Sequence, residues 1–76
     1  MLEFQRELDA RDDSCPGPVI RTKHLLLSMN SGEVLHVMAT DPNAEEDIGL
    51  LLATLHDELV QMDKQDSVLH FYIRKK

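Results

Sequence analysis

Cys15 is the only cysteine among 76 residues and, by residue type, the strongest nucleophile in the chain. It sits where a polar stretch, Asp9 to Ser14, gives way to Pro16-Gly17-Pro18 and then to an apolar-periodic segment. Proline has a fixed φ and no N–H, which suits the first helical turn, where that N–H has no intrahelical partner. Pro16 and Pro18 therefore mark a helix start. A thiol just before such a start meets free backbone N–H groups and the positive end of the helix dipole, and both stabilise the thiolate. Arg21 and Lys23, one to two turns on, add positive potential, while Asp12 and Asp13 just upstream oppose it. A lone cysteine is more commonly a small buried hydrophobe, but here the charged loop before it and the proline after it favour exposure.

Other chemistry finds less support. His24, His36, His56 and His70 contain no His-x3-His pair of the kind that places two ligands on one helix, so no metal or cofactor is expected and the histidines read as surface or strand-edge residues. A protease-like Cys–His dyad lacks a cleft and an evident third group in so short a chain. Fourteen acidic against eight basic side chains give a formal charge of −6, which argues against stable nucleic-acid or anionic-membrane binding. A single cysteine excludes an intramolecular disulfide and fits a reducing, cytoplasmic setting. Met1 to Arg6 is charged and does not read as a signal-peptide core. The longest apolar runs, Leu25-Leu26-Leu27 and Leu50-Leu51-Leu52-Ala53, fall far short of the roughly 20 residues of a membrane span.

The elements that must position Cys15 follow from periodicity. Leu2, Phe4 and Leu8 alternate with Glu3, Gln5 and Glu7, the period of a half-buried strand, and Asp9 to Ser14 reads as a surface loop. The spacing predicts a helix from the prolines to about Met29, burying Thr22, Leu25, Leu26 and Met29 with Val19 behind them and turning Arg21, Lys23 and His24 to water. Asn30-Ser31-Gly32 is its stop. Val34 to Thr40 is rich in strand formers and belongs in the sheet interior. A second helix starts at Asp41-Pro42, or two residues later with an Asn43–Glu46 capping box, and carries the stripe Ile48, Leu51, Leu52, Leu55. Leu59 to Met62 fits either a helical extension or a strand, and the strand is preferred. Lys64 to Ser67 is a turn, and Val68 to Ile73 is a last strand with Leu69, Phe71 and Ile73 on one face. One domain over residues 1–76 results, an α+β fold of order βαβαββ. It is a two-layer α/β sandwich with both helices on one face of a four-stranded mixed sheet.

Cys15-Pro16-Gly17-Pro18, followed by Val19-Ile20-Arg21-Thr22-Lys23, resembles the signature of the TusA/SirA-like sulfur-carrier family, in which Cys-Pro-x-Pro opens the first helix. The resemblance extends to Leu8-Asp9, Gly32-Glu33, Asp41-Pro42, Asp47-Ile48, Glu58-Leu59 and the closing Tyr72-Ile73-Arg74-Lys75, covering nearly the whole chain. The fold it implies agrees with the pattern reading. The chain departs from the family by placing Asp12, followed by Asp13-Ser14, where a glycine usually precedes the cysteine, and by having no second cysteine between Gly49 and Ala53.

What the resemblance implies is a sulfurtransferase or sulfur carrier. Cys15 would accept a sulfane sulfur as a persulfide from a donor protein, a cysteine desulfurase or rhodanese-like protein, and relay it to an acceptor protein cysteine. The destination would be tRNA thiolation, cofactor biosynthesis or sulfur oxidation. Such exchange needs an accessible thiolate and an in-line approach, but no acid–base dyad or deep pocket. Pro16 and Pro18 would stiffen the junction and Gly17 would clear space for a partner. Arg21 and Lys23, with Arg74, Lys75 and Lys76, would form a basic face that steers a partner or stabilises the thiolate. The alternative is a non-catalytic interaction or regulatory module that keeps the fold and uses the first-helix face.

Overall fold

The computed structural model of the chain describes residues 3–14 and 16–76; Met1, Leu2 and Cys15 lie outside the described residues. Its elements are β1 (Arg6–Ala10), α1 (Gly17–Ser28), β2 (Val34–Ala39), α2 (Ala44–Leu55), β3 (Glu58–Gln65) and β4 (Val68–Arg74). The sheet order is β1-β2-β4-β3, with β1 parallel to β2 and the other pairs antiparallel. The expected βαβαββ mixed sheet is what forms, with β2 in the interior. Leu8, Val37 and Phe71 make one row across the inner face, and Ala10, Ala39 and Leu69 make the next. Leu26, Met29, Ile48 and Leu52 of the helical layer close over them in a single buried cluster.

Several boundaries differ from the pattern reading. The first strand begins at Arg6 rather than near Leu2. Gln5 pairs with Val34 through its side-chain Oε1 as well as its backbone N–H, at 2.8 and 3.0 Å, which interrupts the alternation. Phe4 and Leu8 therefore part company. Leu8 is buried under the helices, while Phe4 sets its ring 5.0 Å from His36 on the open face of the sheet. At the other end the strand runs through Asp9 and Ala10, which the pattern assigned to a loop, because Ala10 is fully buried opposite Ala39.

α1 buries Thr22 and Leu26 and leaves Arg21, Lys23 and His24 exposed, as its spacing predicts, whereas Leu25, expected inside, is only half-buried and Pro18 is buried in its place. α2 takes the later of its two starts, at Ala44, but without the capping box: the side chain of Asn43, the N-cap residue, makes no capping bond, and the Asp41 carboxylate instead accepts from the Asn43 N–H at 2.8 Å. Residues 59–62 are indeed a strand. Lys64 and Gln65 also belong to β3, so the turn narrows to Asp66-Ser67, both with positive φ (51° and 68°). That is the backbone a two-residue hairpin favours, because its twist matches the flanking strands. Among the described residues no helix is long and apolar enough to cross a membrane.

Candidate functional site

The prolines divide their work. Pro16 is exposed at the N-cap position, and its C=O accepts the Ile20 N–H at 3.0 Å, the first helical bond. Pro18 is fully buried and anchors the first turn to the core. The Ser14 C=O accepts the Gly17 N–H at 2.8 Å, so the backbone on either side of position 15 is closed into a turn. No side chain caps α1 and no acidic residue lies in its first turn. The positive end of its dipole is therefore uncompensated from within the helix. Cys15 itself lies outside the described residues, and its role rests on its place in the chain between these two anchors.

The departing loop has a physical account. Asp12 has φ of 71°, in the left-handed region where glycine is the default and aspartate is among the tolerated side chains. Its N–H donates to Thr40 Oγ1 at 3.0 Å, which ties the loop to the end of β2. Asp13 donates its N–H to the Ala10 C=O at 3.2 Å, and its carboxylate pairs with the Arg21 guanidinium. At the head of the loop the Arg11 side chain and its backbone N–H both bond the Asp9 carboxylate, which lowers the Asp9 pKa to about 2.

The expected basic face does not assemble. Arg21 lies toward β1 beside Leu8, His24 and Leu25, engaged by Asp13, because two residues along a helix turn a side chain by about 200°. Lys23 instead lines a shallow groove of about 400 Å3 between the two helices, with Pro16, Val19, Asp47, Leu50, Leu51, Thr54 and Leu55. Leu50 is 63% exposed there, giving the groove an apolar lip. Arg74 to Lys76 sit at the opposite end of the sheet, where Arg74 pairs with Glu58 at 3.0 Å and the Lys76 N–H bonds Asp57.

The histidines also need correction. His24 and His56 are exposed, but His36 is only 7% exposed and His70 half-buried, both on central strands rather than at an edge. On the open face Nε2 of His36 lies 2.9 Å from Nδ1 of His70, and Nδ1 of His36 lies 3.3 Å from Glu7 Oε2. The His36 ring stacks on Tyr72, with centroids 4.6 Å apart. Sequence reasoning missed this cluster and the Asp13–Arg21 pair alike. The signal available was strand register for the first, and one oppositely charged pair eight residues apart for the second.

Comparison with known proteins is consistent from end to end. A family model described as Sulfurtransferase TusA matches residues 6–75. The sulfur carrier protein TusA of Allochromatium vinosum is 40% identical over 75 residues, covering 99% of each chain. A putative sulfur carrier protein of Halobacterium salinarum is 41% identical over 74 residues, covering 96% of this chain and 91% of its own. In three dimensions the chain is similar to the crystal structure of a SirA-like protein from Desulfitobacterium hafniense. The TM-score is 0.83 at 22% identity, covering 92% of this chain and 96% of that one, a likeness of fold.

Proposed function

The chain belongs to the TusA sulfurtransferase family, and we propose that within it Cys15 is the persulfide-bearing residue of a two-step sulfur relay. In the first step the Cys15 thiolate attacks the outer sulfur of a donor protein's cysteine persulfide. A new Cys15 Sγ–S bond forms as the donor's Sγ–S bond breaks, and the donor cysteine leaves as a thiolate. In the second step an acceptor thiolate attacks that outer sulfur, and Cys15 is released as a thiolate. Charge and electrons balance in each step, so no cofactor is needed.

The observation that carries this reading is the helix start directly after Cys15, where the positive end of the dipole meets no acidic side chain in the first turn and no side-chain cap. The partners are a donor of the cysteine-desulfurase or rhodanese-like kind and an acceptor protein with an accessible cysteine. The groove from Pro16 to Thr54 offers either of them an apolar footing that begins at the residue following Cys15 in the chain, with Lys23 at its margin. Pro16, Gly17 and Pro18 support the junction rather than react.

The test is intact mass of the wild type and Cys15→Ser after incubation with a cysteine desulfurase and L-cysteine, before and after a thiol reductant. The wild type is expected to gain one sulfur and to lose it to the reductant, whereas Cys15→Ser gains none. The reductant matters because a sulfinic acid adds nearly the same mass but is not reversed by thiols. A folded wild type that no desulfurase or rhodanese-like donor loads would overturn the relay and favour the non-catalytic interaction module.

A further inference from the structure

Gly17 and Arg21 are four residues apart on α1 and so share one face of its first two turns. The loop before the helix doubles back along that face. The nearest atom to a β-carbon built on Gly17 is the Asp13 Cβ, at 3.7 Å, so Asp13 lies over the glycine on its way to the arginine. There its carboxylate pairs with Arg21 Nη1, and the same nitrogen reaches the Asp9 C=O at 3.4 Å. Arg21 thus holds the loop at two points, one at the end of β1 and one two residues before Cys15. A β-carbon at position 17 would therefore meet Asp13 at ordinary van der Waals distance.

We propose that Arg21 is a positioning residue for the transfer site: by clamping Asp13 and the Asp9 carbonyl along the first two turns of α1, it fixes where residue 15 is presented to a protein partner. This role rests on the relay described above. A docked macromolecule must bring two sulfurs into line, so an error of about 1 Å in the loop lowers the rate. A small electrophile approaches from any open direction and does not sense it. The pair is half-exposed, with side-chain accessibilities of 49% for Arg21 and 35% for Asp13. Its contribution to global stability is accordingly small.

The experiment compares the rate of sulfur loading by a cysteine desulfurase with the rate of alkylation by iodoacetamide, in Asp13→Asn, Arg21→Gln, the double variant and the charge swap Asp13→Arg/Arg21→Asp. Positioning predicts that the ratio of loading to alkylation falls about 3- to 10-fold in each single variant and no further in the double. The swap should recover it in part, to above the value of either single variant, because it restores the pair between positions 13 and 21 but not the bond to the Asp9 C=O. A purely electrostatic role would overturn the proposal, because Asp13→Asn and Arg21→Gln would then change the ratio in opposite directions and the double would match wild type. A direct contact between Arg21 and the donor would overturn it too, since Asp13→Asn would not slow loading and the swap would not rescue. If wild type loads and all variants load equally, the clamp has no role although the relay stands. If wild type is never loaded, the relay and this role fall together.

Discussion

The two helices begin in contrasting ways. Each has 12 residues, and each follows a proline. α2 opens with Glu45, Glu46 and Asp47, which neutralise the positive end of its dipole, and the Asp41 carboxylate folds the approach. α1 opens with Gly17 and Pro18 behind an exposed Pro16, with no acid in its first turn. One start is electrostatically closed and serves only the fold. The other is left open at the residue that follows Cys15. The nearby acids, Asp9 and Asp13, are each held by an arginine, Arg11 and Arg21 respectively. The contrast teaches that two helices of equal length can differ in what the sequence places at the terminus, three acids at one and none at the other, with Asp12 exposed in the loop before the second kind.

The sharpest way to break this comparison is to remove each proline. Pro18→Ala empties a fully buried site and introduces an N–H there, and should cost roughly 1–3 kcal/mol in denaturant unfolding. Pro42→Ala, at an exposed position, should cost less than about 0.5 kcal/mol. Equal losses would mean that α1 is not anchored through its prolines.

Giving α1 the acid it lacks should close its open end. Ile20→Glu, at a half-exposed position in the opening turns, is expected to slow iodoacetamide alkylation of Cys15 at pH 7 by about 2- to 5-fold. Glu46→Gln in α2 should leave that rate alone and instead reduce stability by about 0.3–1 kcal/mol. An unchanged rate in Ile20→Glu would detach the thiol from the helix start.

Smaller effects sharpen the loop. Asp12→Gly relieves a left-handed aspartate but frees the unfolded chain, so it should stabilise by only about 0.5 kcal/mol, keeping the backbone bond to Thr40. Destabilisation instead would show that the Asp12 side chain contributes to the loop. The smallest effect is the acid response of Asp9. Its folded pKa, about 2, lies below the ordinary carboxylate value. Its contribution is therefore complete above about pH 4 and lost as pH falls toward 2. Asp9→Asn should flatten the stability profile in that window, and an unchanged profile would mean the Arg11 contact is not kept in solution.

Most of the architecture was legible because apolar period reports directly which side of an element is buried. Ile48 and Leu52 on α2, and Leu69, Phe71 and Ile73 on β4, all lie where their spacing puts them. Leu59 and Met62 were ambiguous for a concrete reason. A bulge between Leu59 and Gln61 lets residues three apart oppose Ile73 and Phe71 on the same face, so a strand acquires a helical interval. The polar side of the site was less legible. Period cannot say which of Asp12 and Asp13 will turn to the helix, nor that Arg21 and Lys23 will face different neighbours. Those outcomes depend on the left-handed turn at Asp12 and on the path of the loop over Gly17. The His36–His70 contact was hidden similarly, since it follows from diagonal placement across β2 and β4.

The strand order has a consequence in time. β4, the last of the six elements in the chain, lies between β2 and β3 and pairs with both. Until it is translated, β2 has no second neighbour, β3 has none at all, and Leu35 and Val37 lack their cross-strand partners Ile73 and Phe71. At about 5–20 residues per second, several seconds of synthesis pass before the sheet can close. The nascent chain therefore passes that interval with its first two strands unsupported, and the sheet behind α1 closes only once β4 has slotted into the middle.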